Sequence, residues 1–237
     1  DEFLETSPLD YISSSATWSD ATLSDAFVFS VYSYLGYGGF EEQMLAVVTD
    51  EAMFTHAGRN INTFMEGSES PSNMSWQSST WRWSSMYSAI RQANVAIANL
   101  PEATFDDQET KDKLMGEAHF LRAYYYHQLM RFYGGIPIID RPYTLEDDLS
   151  IARSSFSDTV DFIISDLDQA ASLLNGKDMA DGRASRVAAM ALKARVLTYA
   201  ASDLHESSKA PAGYGGDLHA YTGGQEARWL AAQQASK

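Results

Sequence analysis

Apolar residues recur at spacings of three and four along much of the chain, and the breaks in that pattern mark where elements end. The clearest run is Glu117 to Pro137, EAHFLRAYYYHQLMRFYGGIP. Leu114, Ala118, Leu121, Tyr125, Leu129 and Phe132 draw one buried stripe on a helix that begins near Leu114. Met115, Tyr126, Met130 and Tyr133 form a second row beside it. A helix with so wide an apolar face must be covered on most sides. Gly134-Gly135 and then Pro137 stop it, because glycine takes the left-handed cap conformation and proline cannot continue the ladder.

The rest of the chain follows the same logic. Asp1 to Asp20 is polar and predicts an extended segment. Ser24 or Asp25 could cap a helix carrying Phe27, Val28, Val31, Tyr34 and Leu35, which Gly36 to Gly39 would close. Phe40, Met44, Val47 and Val48 continue it as another helix, or as a short strand at Val47-Val48-Thr49. From His56 to Thr80 periodicity fails, and the Ser, Asn and Gly content predicts a long loop of the kind that often carries function.

Periodicity returns at Trp83, Met86, Ile90, Ala93, Ile97 and Leu100, a helix that Ser79 or Thr80 could cap and Pro101 ends. Its short connection to the central helix predicts an antiparallel hairpin, with Trp83 in the core. Ile138 to Pro142 is extended. Ser154 or Ser155 caps a helix with Phe156, Val160, Ile163, Leu167, Ala170 and Leu174, and Asp158, Asp161 and Asp166 lie on its polar side. Asn175-Gly176 ends it. Ser185 opens an alanine-rich helix, Val187 to Ala201, in which Ala188, Ala191, Ala194 and Ala201 allow close helix contact. Ser202 to Gln225 is polar and glycine-rich, and Glu226 to Lys237 opens a further helix.

The expected class is therefore all-α, with tetratricopeptide-like helical hairpins of roughly 35 to 45 residues packed around a central helix and long irregular loops. Residues 1–20 form an extended segment, 21–202 a helical scaffold with the variable loop 56–80, and 203–237 a loop and the start of another helix.

Charge narrows the partners. The chain has 17 Lys and Arg against 32 Asp and Glu, a net charge of −15, and no cluster of basic residues to follow a phosphate backbone. Nucleic acid is not an expected partner, and anionic lipid surfaces are disfavoured. No run approaches the roughly 18 to 20 apolar residues that span a bilayer, and DEFLETSPLD has neither a signal-peptide nor a transit-peptide pattern. Cysteine is absent, which removes disulfides, thiolate metal sites and a cysteine nucleophile.

Catalytic motifs are missing: there is no HExxH, no GxSxG, no phosphate loop and no dinucleotide fingerprint. The glycines near Tyr37 and Tyr214 follow no strand and predict turns. His119 and His127 share the central helix, but no carboxylate stands at ligand spacing to both, so a metal site is not expected. Acidic pairs such as Asp106-Asp107 lack the separation that glycosidase chemistry needs. Tyr124-Tyr125-Tyr126 points three ways on a helix and predicts core packing with bonded hydroxyls. Arg122 and Arg131 are expected to bond carbonyls or carboxylates between helices.

The tryptophans differ. Trp76, Trp81 and Trp83 are three of the five, and they fall within eight residues at the end of a polar loop. Trp76 and Trp81 fit no stripe. An indole face on a loop can stack on a sugar ring while amides such as Asn60, Asn62 and Asn73 bond its hydroxyls; the competing reading is that these rings anchor the loop by packing.

The run GEAHFLRAYYYHQLMRFYGGIPII closely resembles the GEA-x-FLRA-x-YYF…L-x-x-x-YGG-x-P motif of the SusD/RagB family of outer-membrane nutrient-binding lipoproteins. Thr49-Asp50-Glu51, the helix Trp83…Tyr87…Ile90…Asn94, Arg153-Ser154-Ser155 with Asp166-Leu167, and Arg183 through Ala200-Ala201-Ser202 match in the same order. The resemblance implies a non-catalytic protein without a cofactor. It would bind glycan, or sometimes peptide, on loops of a helical scaffold above a SusC-like TonB-dependent transporter. It further implies a lipidated cysteine ahead of DEFLETSPLD, tethering the protein to the outer membrane and facing the cell exterior. Family chains are usually longer, so the sequence corresponds to an N-terminal portion. A helical-repeat scaffold for protein partners, or a peptide-binding member of the family, is the alternative.

Overall fold

The computed structural model describes residues 14–36, 46, 49–53, 55, 66–68, 70, 83–210, 214 and 216–237. Among them are seven α-helices and no β-strand: α1 (Ser14–Ser19), α2 (Ala21–Val31), α3 (Trp83–Asn99), α4 (Gln108–Tyr133), α5 (Phe156–Leu173), α6 (Arg186–Ala201) and α7 (Gln225–Ala235). None is long and apolar enough to cross a membrane.

Helix α4 is the axis, touching α2, α3, α5 and α6. Thirteen of its twenty-six residues are buried, so it is covered on most sides, as its two apolar rows require. Met86, Ile90 and Ala93 of α3 meet Leu121, Tyr125 and Leu129 of α4; Phe156, Val160, Ile163 and Leu167 of α5 and Leu192 and Val196 of α6 complete this core. A second cluster joins Trp18, Val28, Leu100, Leu114 and Ala118.

Caps set the helix starts. Ser155 accepts from the Asp158 amide at 3.0 Å and Ser185 from the Ala188 amide at 3.2 Å, both as their position before an apolar run predicts. Helix α4 instead begins six residues before Leu114. Asp107 caps it through the Thr110 amide at 3.0 Å, and its opening QETKDK has no apolar residue through which a stripe could show. Helix α2 is capped by Asp20, not by Ser24 or Asp25: Ser24 is buried and donates to the Thr17 carbonyl at 2.8 Å, and Asp25 pairs with Arg183.

Three further expectations are corrected. Ser14–Ser19 is helical, not extended. The buried face of α6 is Ala189, Leu192, Val196, Ala200 and Ala201, so that of the expected contact alanines Ala201 is buried, whereas Ala191 is exposed and Ala188 and Ala194 are half-buried. Asp166 is buried, because the side of α5 that carries it faces Arg122. Phe40, Met44, Val47 and Val48 lie outside the described residues.

The glycine pair after α4 does more than end the helix. Gly134 has φ of +74°, and a Cβ there would collide with the Leu218 carbonyl; one on Gly135 would collide with the Ser154 carbonyl. The Gly135 amide donates to the Leu218 carbonyl at 2.6 Å, and the Phe156 amide to the Asp217 carbonyl at 2.7 Å. His205 stacks on Phe156 at 4.2 Å, so the loop before α7 is fastened to the start of α5, and Glu206 pairs with Arg228 of α7 at 2.8 Å.

Candidate functional site

Central to the fold is a buried polar network that fixes the segment after α4. Arg122 donates to both oxygens of Asp166 at 2.7 Å, to Asn94 Oδ1 at 2.7 Å and to the Asp140 carbonyl at 3.0 Å. His119 Nδ1 stands 2.7 Å from Asp166 Oδ1. The Asn94 amide donates to the Ile139 carbonyl at 2.8 Å, and Tyr126 both accepts from the Ile139 amide and donates to its carbonyl. Residues 138–141 have no helix or strand of their own, so these side chains supply their hydrogen bonds. Arg122 thus bonds a carboxylate and a carbonyl between helices, as expected.

That segment builds one wall of a cleft. Tyr87, Ile90 and Arg91 of α3 face Ile139, Arg141 and Tyr143 across a space of about 170 Å³. Arg91 Nη1 donates to the Tyr143 carbonyl at 2.7 Å. Arg141 lies 4.4 Å from the centre of the Tyr143 ring and pairs with Asp147 at 2.5 Å, a bond that, with the Thr144 amide, holds the Asp147 carboxyl well below the usual carboxylate range.

An aromatic platform stands one helical turn along α3. Trp83, at the helix start, lies 5.0 Å from the Tyr87 ring and 5.1 Å from Tyr133, the latter edge-on at 90°. It is 37% exposed, so it belongs to the surface and not to the core, a correction to the stripe reading. The indole leans on the end of α4, against Tyr133. Tyr87 donates to the Pro137 carbonyl at 2.7 Å; its phenol is pushed up by burial, with Tyr126 adding to the effect. Arg153 donates to the carbonyls of Gly135 and Tyr133, holding the end of α4 in place. Aromatic faces beside an apolar cleft with a few fixed polar groups are the make-up of a site for a ring with polar edges.

Trp76, Trp81, Asn60, Asn62 and Asn73 lie outside the described residues. The platform begins directly after Trp81 and Arg82. Arg91, Arg141 and Tyr143 were not singled out from the sequence, although Arg91 is the sole charged residue of α3. His119 is taken up by Asp166, and His127 is buried with Nδ1 unpartnered among the described residues. Within the described residues no group of three or more His, Asp or Glu is placed to hold a metal ion.

Comparison with known proteins adds to this geometry. Residues 2–198 match the family model SusD-like_3, described as "Starch-binding associating with outer membrane". The SusD-like protein P38 of Formosa agariphila is 34% identical over 130 residues, covering 54% of this chain and 25% of the relative. Among solved structures, a SusD-like protein from Bacteroides fragilis superposes with a TM-score of 0.63 at 29% identity, over 83% of this chain and 38% of that one. A laminarin-binding SusD-like protein gives 0.63 at 25% identity, over 77% and 41%. A SusD superfamily protein from Parabacteroides distasonis gives 0.67 at 25%, over 90% and 43%. The chain spans about a quarter of the length of the curated relatives it matches.

Proposed function

The chain belongs to the SusD-like family, whose members associate with the outer membrane, and from that premise we propose that the protein is a non-catalytic binding protein that captures oligosaccharide and delivers it to a SusC-like TonB-dependent transporter. The observation that carries this reading is the half-exposed Trp83, held against Tyr87 and Tyr133 at the rim of the cleft. A half-exposed indole set against two tyrosine rings suits the C–H face of a sugar, and Tyr87, anchored on the Pro137 carbonyl, keeps it rigid. To the same ligand we assign Trp76 and Trp81 as stacking rings and Asn60, Asn62 and Asn73 as hydrogen-bonding amides. A lipid anchor ahead of residue 1 holds the protein at the cell exterior.

The laminarin-binding relative supports glycan as the ligand class. The second reading, a scaffold for protein partners, draws on the exposed Val187, Met190, Trp229 and Leu230 of α6 and α7. Isothermal titration of the full-length protein against glycans and peptides separates the two. Heat of binding with a glycan, and no release of reducing sugar, is the expected result. Glycan binding that survives Trp76→Ala and Trp81→Ala removes those two residues from the site, and no binding to any glycan contradicts the proposal.

A further inference from the structure

Among the described residues Arg91 has no acidic partner, although the chain carries 32 acids. Among the described residues no carboxylate lies within ion-pair distance of it, whereas Arg122 has Asp166, Arg141 has Asp147, Arg183 has Asp25 and Glu117, and Arg228 has Glu206. Its guanidinium is nevertheless fixed, because Nη1 is bound to the Tyr143 carbonyl at 2.7 Å, and that carbonyl belongs to the wall held in place by Arg122, Asn94 and Tyr126. A guanidinium has five N–H donors in a plane, so the remaining ones are available in a set orientation.

The surroundings say what such a cation would take. The cleft beside Arg91 is walled by Tyr87, Ile90, Ile139 and Tyr143, and its volume of about 170 Å³ is below the roughly 300 Å³ at which pockets for drug-sized ligands begin. It has room for one ring. Arg141, the other cation at the cleft, is already neutralised by Asp147 and stacked on Tyr143. One ring with apolar faces and one anionic edge complements a guanidinium that, among the described residues, has no carboxylate, set between aromatic walls.

We propose that this cleft selects a sugar ring bearing a carboxylate, a hexuronate unit of an acidic oligosaccharide, through Arg91. The inference rests on the glycan-binding reading and narrows it from sugar in general to acidic sugar. The planar fork of arginine matches a carboxylate with two parallel bonds, and such charge-assisted bonds are about twice as strong as neutral ones.

The test is titration of the protein with oligogalacturonides and oligoglucuronates, each beside its carboxyl-reduced neutral counterpart, at low and high salt. The acidic form is expected to bind about tenfold tighter or more, with an advantage that shrinks in high salt. Arg91→Gln, which keeps a donor for the Tyr143 carbonyl but no charge, should abolish that advantage, and Arg91→Lys should retain part of it; thermal melting establishes that both variants are folded. Equal affinity for acidic and reduced forms overturns the carboxylate assignment while leaving glycan binding standing. Binding to neither form overturns both. A preference that survives Arg91→Gln, or that appears only with sulfate esters, also overturns it.

Discussion

Tyr126 and Ile139 exchange two hydrogen bonds: the phenol oxygen accepts from the Ile139 amide at 2.7 Å and the hydroxyl donates to the Ile139 carbonyl at 3.0 Å. A side chain of the central helix therefore does for an extended segment what a neighbouring strand would do in a sheet. Because Ile139 also lines the cleft, this pairing ties the scaffold to the binding surface. Tyr126→Phe should cost about 1–3 kcal/mol, since the Ile139 amide is left without its partner. Urea denaturation measures the loss. A variant as stable as the parent would show that solvent can replace the phenol there.

Arg122 and Asp166 form a buried ion pair at 2.7 Å across α4 and α5. Arg122→Met leaves a buried carboxylate with His119 as its remaining side-chain partner, and should cost about 3–5 kcal/mol. Adding Asp166→Asn should recover part of that loss, because the uncompensated charge is then gone. A double-mutant cycle by chemical denaturation measures the coupling. A single-variant loss below about 1 kcal/mol would mean that the pair contributes little.

Two glycines should respond differently to alanine. A Cβ on Gly135 would collide with the Ser154 carbonyl and with the backbone at the start of α5, while one on Gly176 meets nothing within 4 Å. Gly135→Ala must push main chain aside and should cost about 3 kcal/mol or more. Gly176 has φ of +70°, so Gly176→Ala should cost only about 1 kcal/mol of backbone strain. Thermal melting of both variants checks the order.

Acid should weaken the fold through His127. The ring is buried, and burial, with repulsion from Arg131 and Arg195, lowers its pKa from 6.5 to about 3. Between those values the unfolded chain binds a proton that the folded chain refuses. This contribution to stability is present above about pH 6.5 and is lost as pH falls towards 3, with a slope of about 1.4 kcal/mol per pH unit at full effect. His127→Phe should flatten the pH dependence of unfolding by about one proton in that window. An unchanged slope would contradict the assignment.

Much of the scaffold was legible in the sequence, because helix positions follow from periodicity and caps that lie within a few residues of each other. The stripe through Leu121, Tyr125 and Leu129, the caps at Ser155 and Ser185, and the extended residues 138–142 are all of this local kind. The misses are of another kind. Asp107 was missed as the cap of α4 because the first turns hold no apolar residue. Asp166 sits at a polar spacing on α5, and only the packing of α5 on α4 turns it inward to Arg122. Trp83 fits its stripe by spacing but lies where the stripe runs out. The cleft depends on residues 139–143 folding back along α3, a contact across some fifty residues that no window of sequence contains.

On the proposed function Trp83 contacts the glycan, while the tyrosine run of α4 holds the scaffold. Isothermal titration of full-length Trp83→Ala and Tyr125→Phe with a glycan ligand, beside the melting temperature of each, tests both halves. Tyr125 is fully buried and donates to the Val31 carbonyl at 2.5 Å, so Tyr125→Phe should lose about 1 kcal/mol of stability and keep its affinity. Trp83→Ala should keep its melting temperature within a few degrees and lose roughly tenfold or more in affinity. Unchanged glycan binding in Trp83→Ala, or lost binding in a fully stable Tyr125→Phe, would contradict the account.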